Sequence, residues 1–286
     1  MIQNIKQNLF WSSVKTTVDN HQVIGNSPAD LWLKTSQLLL EEGNTKLNYE
    51  ILNLVMVLDE LDKGDINYKI EEESFDNKFR FLFGDDRIDY AKTITFLEPK
   101  PIHFDDTIDG DYEYSSAIEG KWTKTYWSRM FNWEDNFNQI EQALKRIREG
   151  NNSKTISINV YHPTIDGKKT QAGIPCLLSL DIKPREDGLY FTAFYRSMRI
   201  SKSGYADFMG LRELAEHISH RSGIVDYEKR RVNRITIMGS SVHLGNQNDE
   251  LKNTKMMLML KEDEQIWYNR QWLMMANDKW NWGLKY

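Results

Sequence analysis

Apolar residues recur along the chain in two periods, and the changes of period divide it into helices and strands. Over 27–43, Leu31, Leu38 and Leu39 share a face, Ser27 offers an N-cap, Pro28 a first helical residue, and Gly43 closes the run, which predicts a helix. Ile51 to Leu58 is an apolar run of strand length. From 59 to 78 the chain turns acidic without a sustained period and reads as a loop or excursion, and Phe79 to Phe83 reads as a short strand. Ile88, Ala91, Ile94 and Thr95 share a face of a weak helix over 85–97, stopped by Pro99 and Pro101. Helical spacing returns over 135–149 with Phe137, Ile140, Leu144 and Ile147, before Gly150.

Alternation then takes over. Ile156, Ile158 and Val160 predict one strand, and Leu178, Leu180 and Ile182 the next. Pro-Arg-Glu-Asp-Gly at 184–188 is a turn and 189–196 the returning strand, so Cys176 opens a hairpin. Phe208, Leu211, Leu214, Ala215 and Ile218 mark a long amphipathic helix ending at Gly223, and Val232 to Met238 is another strand. After Gly245 come an acidic, Asn-rich connector, a Met-rich run at 256–259, and a tail whose Trp267, Trp272, Trp280 and Trp282 are expected to pack on the core. With no linker and no internal repeat, the pattern predicts a single α+β domain over 1–286, one large twisted mixed sheet flanked by helices.

Composition narrows the class. Hydrophobic residues are 40% of the 286 and aromatics 12%, enough for a real core. The N-terminus lacks a signal-peptide core and no stretch approaches the ~20 apolar residues of a membrane span, so a cytoplasmic protein without a membrane partner is expected. A net charge of -5 argues against a nucleic-acid partner. Lys145, Arg146, Arg148 and Lys154, and Lys229, Arg230, Arg231 and Arg234, form local basic clusters that read as solvated surface or as enough for a small phosphate. One cysteine removes a disulfide framework and thiolate zinc sites. The acidic loop at 102–121 lacks the spacing of a twelve-residue calcium loop, and His217 and His220 have no third ligand at a motif spacing, so no metal is expected.

The sole cysteine, Cys176, is a small buried hydrophobe or a nucleophile. Around it stand Gly-Ile-Pro-Cys at 173–176, Tyr-Arg-Ser at 195–197, Asp207-Phe-Met-Gly-Leu-Arg-Glu-Leu, and Gly-Ser-Ser-Val-His at 239–243. In that order and spacing they favour the nucleophile, because the series resembles the thymidylate synthase family. There a Pro-Cys at a strand start is followed by an Arg-Ser ending a later strand, an Asn opening a long helix, and a strand ending in His. Thr-Ala-Phe-Tyr-Arg-Ser, Phe-Met-Gly-Leu-Arg-Glu-Leu and Ser-Ser-Val-His look most like its archaeal branch, and the resemblance is strongest over 112–245. It implies a homodimer through the sheet face, a pyrimidine nucleoside monophosphate substrate, and 5,10-methylenetetrahydrofolate as cofactor.

The resemblance also distributes roles. Cys176 would add to C6 of the pyrimidine, splitting one hard step into easier ones. Arg196 would sit beside the sulfur and the substrate phosphate, Ser197 would complete the phosphate cradle, His243 would bond the sugar 3′-hydroxyl, and Tyr126 would lie near the reacting carbon. Two family arginines that cross the dimer match Lys154 and Thr155, so one cation survives. Asp207 stands where thymidylate synthases carry Asn and the related cytidylate hydroxymethylases carry Asp, so it reads cytosine, caps a helix starting at Phe208, or does both. Three positions depart from the family. Gly245 replaces a tyrosine, Arg199 replaces the aspartate that contacts the pterin, and no glutamate occurs from Tyr90 to Leu97, Glu98 being nearest. The leading expectation is 5-hydroxymethylation of CMP or dCMP. The alternatives are a thymidylate synthase methylating dUMP, and a nucleotide-binding relative that has lost folate chemistry.

Overall fold

The computed structural model describes residues 21–59, 66–83, 126–134, 136–150, 153–168, 174–245 and 248–262. Its centre is a mixed seven-stranded sheet in the order β1-β2-β7-β5-β4-β3, with β6 pairing on β7. The strands are β1 (Gln22–Gly25), β2 (Ile51–Asp59), β3 (Ile156–Asn159), β4 (Leu177–Arg185), β5 (Gly188–Tyr195), β6 (Met198–Arg199) and β7 (Val232–His243). β1–β2, β5–β7 and β6–β7 are parallel and the other pairs antiparallel.

Side chains on paired residues share a face, so the register reads out two surfaces. Val23, Met56, Ile237, Ala193, Leu180 and Ile158 form one row, Leu58, Ile235, Phe191, Ile182 and Ile156 the next, and all are buried. Helices α1 (Pro28–Glu42), α3 (Tyr126–Phe131), α4 (Gln139–Glu149) and α6 (Tyr205–Arg221) pack on this inner side. On the opposite face the row Gln22, Val55, Met238, Phe194, Ser179 and Asn159 mixes apolar and polar groups, and Met238 is 42% exposed. The architecture is α+β, as the periodicity predicts.

The first helix forms as its signals indicate, with Ser27 Oγ accepting from the Asp30 N–H at 2.9 Å and Pro28 opening the helix. Residues 66–83 correct the sequence reading: Ile66–Phe83 is helix α2, not a loop followed by a strand. Phe75, Phe79 and Phe83, spaced by four, stand on one face and meet Trp32 of α1 edge-on at 5.6, 5.5 and 6.1 Å between ring centroids. Glu73 and Asn77 point to solvent, and this polar side obscures the period.

Smaller differences follow from packing. The helix predicted from residue 135 starts at Gln139, capped by the Asn138 side chain. The strand expected to end at Met238 runs on to His243. The Asn-rich connector becomes α8 (Asn248–Glu262), which takes in the Met run and buries Met257 while leaving Met259 exposed. Leu178 is a β-bulge: Leu177 pairs with Tyr195 and Ser179 with Phe194, so Leu178 has no partner in the register. The expected elements at 85–97 and 102–121 and the tryptophan tail lie outside the described residues.

Candidate active site

The β4–β5 ladder ends where the site begins. One residue past the Leu177–Tyr195 pair, the Arg196 N–H donates to the Cys176 carbonyl at 2.9 Å, placing the two residues opposite each other. The guanidinium folds over the strand start. Arg196 Nε donates to Pro175 O at 2.9 Å, and Nη2 donates to Ile174 O at 2.7 Å and lies 3.8 Å from Cys176 Sγ. Cys176 is partly buried, so its sulfur is held by a cation without being sealed from a ligand. Such a neighbour favours the thiolate form on which sulfur nucleophilicity depends.

Tyr126, the first residue of α3, closes another side. Its Oη accepts from the N–H groups of Cys176 and Leu177, both at 3.2 Å. A buried ion pair anchors this helix. Arg129 Nη2 donates to Asp166 Oδ1 at 2.9 Å, and Nη1 donates to Asp166 Oδ2 at 2.5 Å and to Val160 O at 2.7 Å. Gln139 adds bonds to Arg129 O and Asn159 O at 2.8 and 2.7 Å. Fork-to-carboxylate geometry fixes orientation as well as energy, and here it holds Tyr126 against the cysteine strand.

On the other side of Arg196, β6 pairs Met198 with Val242 and Arg199 with His243. Ser197 Oγ and His243 Nε2 are 3.4 Å apart, while His243 Nδ1 is buried without a hydrogen bond. Burial, and then the charge of Arg199, hold the imidazole below the ordinary histidine range, so His243 is a neutral group able to donate or accept. Arg199 Nε donates to Glu250 Oε2 at 2.8 Å, Arg199 Nη2 bonds Glu250 Oε1, and Ser201 Oγ donates to Glu250 Oε2 at 3.0 Å.

Asp207 does not cap a helix starting at Phe208. Helix α6 begins at Tyr205 after a π-type turn, Ile200–Gly204, so Asp207 sits inside the first turn on its buried side. It is 8% exposed, and burial pushes its carboxyl up to about 7, opposed by the pull of the Tyr195 hydroxyl. Tyr195 is 1% exposed, on the inner face beside Leu177. Its hydroxyl has no hydrogen bond of normal geometry. Its pKa is raised well above the ordinary value, by burial first and then by Asp207, with weaker contributions from Tyr126 and Cys176. The Tyr195–Asp207 contact is therefore an approach within electrostatic reach and not a formed bond.

Cys176, Arg196 and Tyr126 thus gather at one end of the sheet, with Ser197 and His243 adjoining and Asp207 linked to them through Tyr195. Lys154 does not join them. It is exposed ahead of β3, whose first pair, Ile156–Ile182, lies at the far end of that ladder from Ser179 and Cys176. Sequence reasoning missed Tyr195, although Phe191, Ala193 and Tyr195 share the inward phase of β5 and mark it as interior. It also missed the Arg129–Asp166 anchor and the Glu250 partner of Arg199. Among the described residues no group of three His, Cys, Asp or Glu could hold a metal ion. His217, weighed as a ligand, lies 6.1 Å from the Phe131 ring.

A cysteine under a guanidinium, framed by a buried carboxyl and a neutral imidazole, is the equipment of an enzyme that bonds covalently to its substrate. The chain is similar to a protein named "Putative thymidylate synthase" from Methanococcoides burtonii, 25% identical over 207 residues, covering 72% of this chain and 78% of the relative. A protein of the same name from Methanothermobacter thermautotrophicus is 23% identical over 230 residues, covering 77% and 90%. A third, from Methanopyrus kandleri, is 31% identical over 87 residues, covering 30% and 41%. No protein-family model matches the chain. These likenesses support a thymidylate-synthase-like, one-carbon-transferase enzyme, and in general terms a folate cofactor. The expected pterin contact is changed here: Arg199 stands where the resemblance calls for a carboxylate, and its guanidinium is engaged by Glu250.

Proposed function

We propose that the protein hydroxymethylates C5 of CMP or dCMP, drawing the carbon from methylenetetrahydrofolate, through a covalent bond from Cys176 to C6 of the base. An uncharged pyrimidine is not nucleophilic at C5. Addition of the Cys176 thiolate at C6 pushes an electron pair onto C5, which can then bond a one-carbon electrophile. Loss of the C5 proton and of the group that carried the carbon leaves a methylene on C5, water adds to it to give the hydroxymethyl group, and expulsion of the Cys176 thiolate restores the ring. Arg196 holds the sulfur side and, with Ser197, receives the nucleotide phosphate; His243 meets the sugar; Tyr126 fixes the backbone of Cys176 and Leu177.

One observation supports the cytosine reading: Asp207 is a buried carboxyl poised to be neutral near pH 7. A neutral carboxyl offers one donor and one acceptor, matching N3 and the exocyclic amine of cytosine. An ionised carboxylate would face the uracil O4 acceptor unfavourably. Lys154 would serve from a second copy, in a homodimer formed across the outer sheet face with its Val55, Met238 and Phe194 row. The chain is read as one domain; no helix among the described residues is long and apolar enough to cross a membrane.

The test is C5 tritium release from CMP, dCMP and dUMP with methylenetetrahydrofolate. Release from the cytosine nucleotides is expected; release from dUMP alone, with dihydrofolate formed, identifies a thymidylate synthase instead. The Arg199–Glu250 pair favours a second reading, a nucleotide-binding relative without folate chemistry. Tight nucleotide binding with no tritium release is its signature.

A further inference from the structure

A neutral carboxyl does not by itself choose between cytosine and uracil. With the proton on the oxygen facing N3 it fits cytosine, whose N3 accepts and whose amine donates. With the proton on the other oxygen it fits uracil, whose O4 accepts and whose N3–H donates. Something must decide which oxygen carries the proton. The Tyr195 hydroxyl, on the inner face of the sheet, lies within electrostatic reach of Asp207 and has no hydrogen-bond partner among the described residues. A buried hydroxyl left in that state is costly, and the cost is recovered when ligand binding completes its bond.

We propose that Tyr195 is a specificity-determining positioning residue that, when nucleotide binds, donates its hydroxyl to the Asp207 oxygen facing the exocyclic group. That oxygen is then the carbonyl, accepting from both Tyr195 and the cytosine amine, and the proton is confined to the oxygen facing N3. A uracil O4 at the same place would meet an acceptor. This rests on the base-reading role proposed above for Asp207. Tyr195 approaches from β5, with Tyr126 of α3 and Cys176 ahead of β4 as the other titratable groups acting on its phenol. Tyr195 acts on the base only through Asp207, and its removal therefore alters discrimination and pH dependence.

The experiment is calorimetric titration of the full chain with CMP and with dUMP from pH 5.5 to 9. It compares the natural protein, Tyr195→Phe, and a protein carrying 3-fluorotyrosine, a more acidic phenol, at position 195. Donation by the phenol favours the ionised carboxyl, so Tyr195→Phe is expected to move the midpoint of CMP affinity loss to higher pH and the fluorinated phenol to lower pH. The CMP-over-dUMP ratio should fall about tenfold in Tyr195→Phe, the worth of one ordinary hydrogen bond, and hold in the fluorinated protein. A core aromatic with no such role would leave both quantities unmoved; a ratio within twofold of the natural protein's and unshifted midpoints overturn the proposal. If the natural protein prefers dUMP, the cytosine reading fails, and Tyr195 is judged by the opposed midpoint shifts alone, now in dUMP affinity. If Tyr195→Phe does not fold, the fluorinated protein decides by its midpoint. Failure of both nucleotides to bind overturns both readings.

Discussion

Replacing Asp207 with Asn separates its two possible duties, because stability and base choice respond with different signs. The folded carboxyl titrates at about 7 against 3.8 for the free group, with burial as the cause. Because the folded value is raised, the stability linked to this group is fully present below pH ~4 and is lost as pH rises through 7. About three pH units at about 1.4 kcal/mol each give a loss on the order of 4 kcal/mol at pH 8–9, an upper figure because a strained site can relax or admit water. Asn has no charge to bury. The variant should therefore match the natural protein within about 1 kcal/mol near pH 4.5 and exceed it by several kcal/mol at pH 8.5, where each kcal/mol is worth roughly 2 °C in Tm for a chain of this size. Differential scanning calorimetry at the two pH values measures it. Parallel Tm curves would mean that the buried carboxyl is not raised, and the argument for a neutral base reader would go with it. In the same variant an amide can donate to O4 and accept from N3–H, so preference should move toward dUMP by about 1–3 kcal/mol. Equal loss of affinity for CMP and dUMP would make Asp207 structural.

Cys176→Ser should abolish turnover while keeping nucleotide affinity within about tenfold, since the sulfur contributes to bond making more than to ground-state binding; residual activity above a few per cent would rule out addition at C6. Asp166→Ala leaves the buried Arg129 charge without its carboxylate and should cost about 3–5 kcal/mol in denaturant unfolding; a loss below 1 kcal/mol would mean that the pair does not anchor α3. Phe79→Ala, at the centre of the Trp32 cluster, should cost about 3–5 kcal/mol by the same measurement, whereas a residue in a peripheral loop would cost little.

What was legible in the sequence and what was not divides by the distance over which the deciding contact acts. The cap at Ser27 and the inward rows of β3, β4 and β5 depend on neighbours a few residues away or on plain alternation, and both survive in one dimension. Helix α2 does not, because its stripe of Phe75, Phe79 and Phe83 makes sense only once Trp32 and Tyr205 are beside it. The site divides in the same way. Cys176, Arg196 and Asp207 announce themselves by residue type and order, whereas the Glu250 that occupies Arg199 lies 51 residues further on, and a buried phenol in a strand is written like any core aromatic.

The bulge at Leu178 shows why a broken pattern can matter more than a kept one. With Leu180 and Ile182 facing inward, unbroken alternation would turn Leu178 inward opposite Tyr195 and carry Cys176 past Arg196 to the level of Ser197. The extra residue resets the phase. Leu177 becomes the buried partner of Tyr195, the Leu178 carbonyl accepts from the N–H groups of both Val160 and Tyr161 at 2.8 and 3.0 Å, and Cys176 comes level with Arg196. One inserted residue thereby sets both halves of the site. It aligns the sulfur with the guanidinium on one phase of the strand end, and on the other it packs Leu177 beside the phenol that faces Asp207.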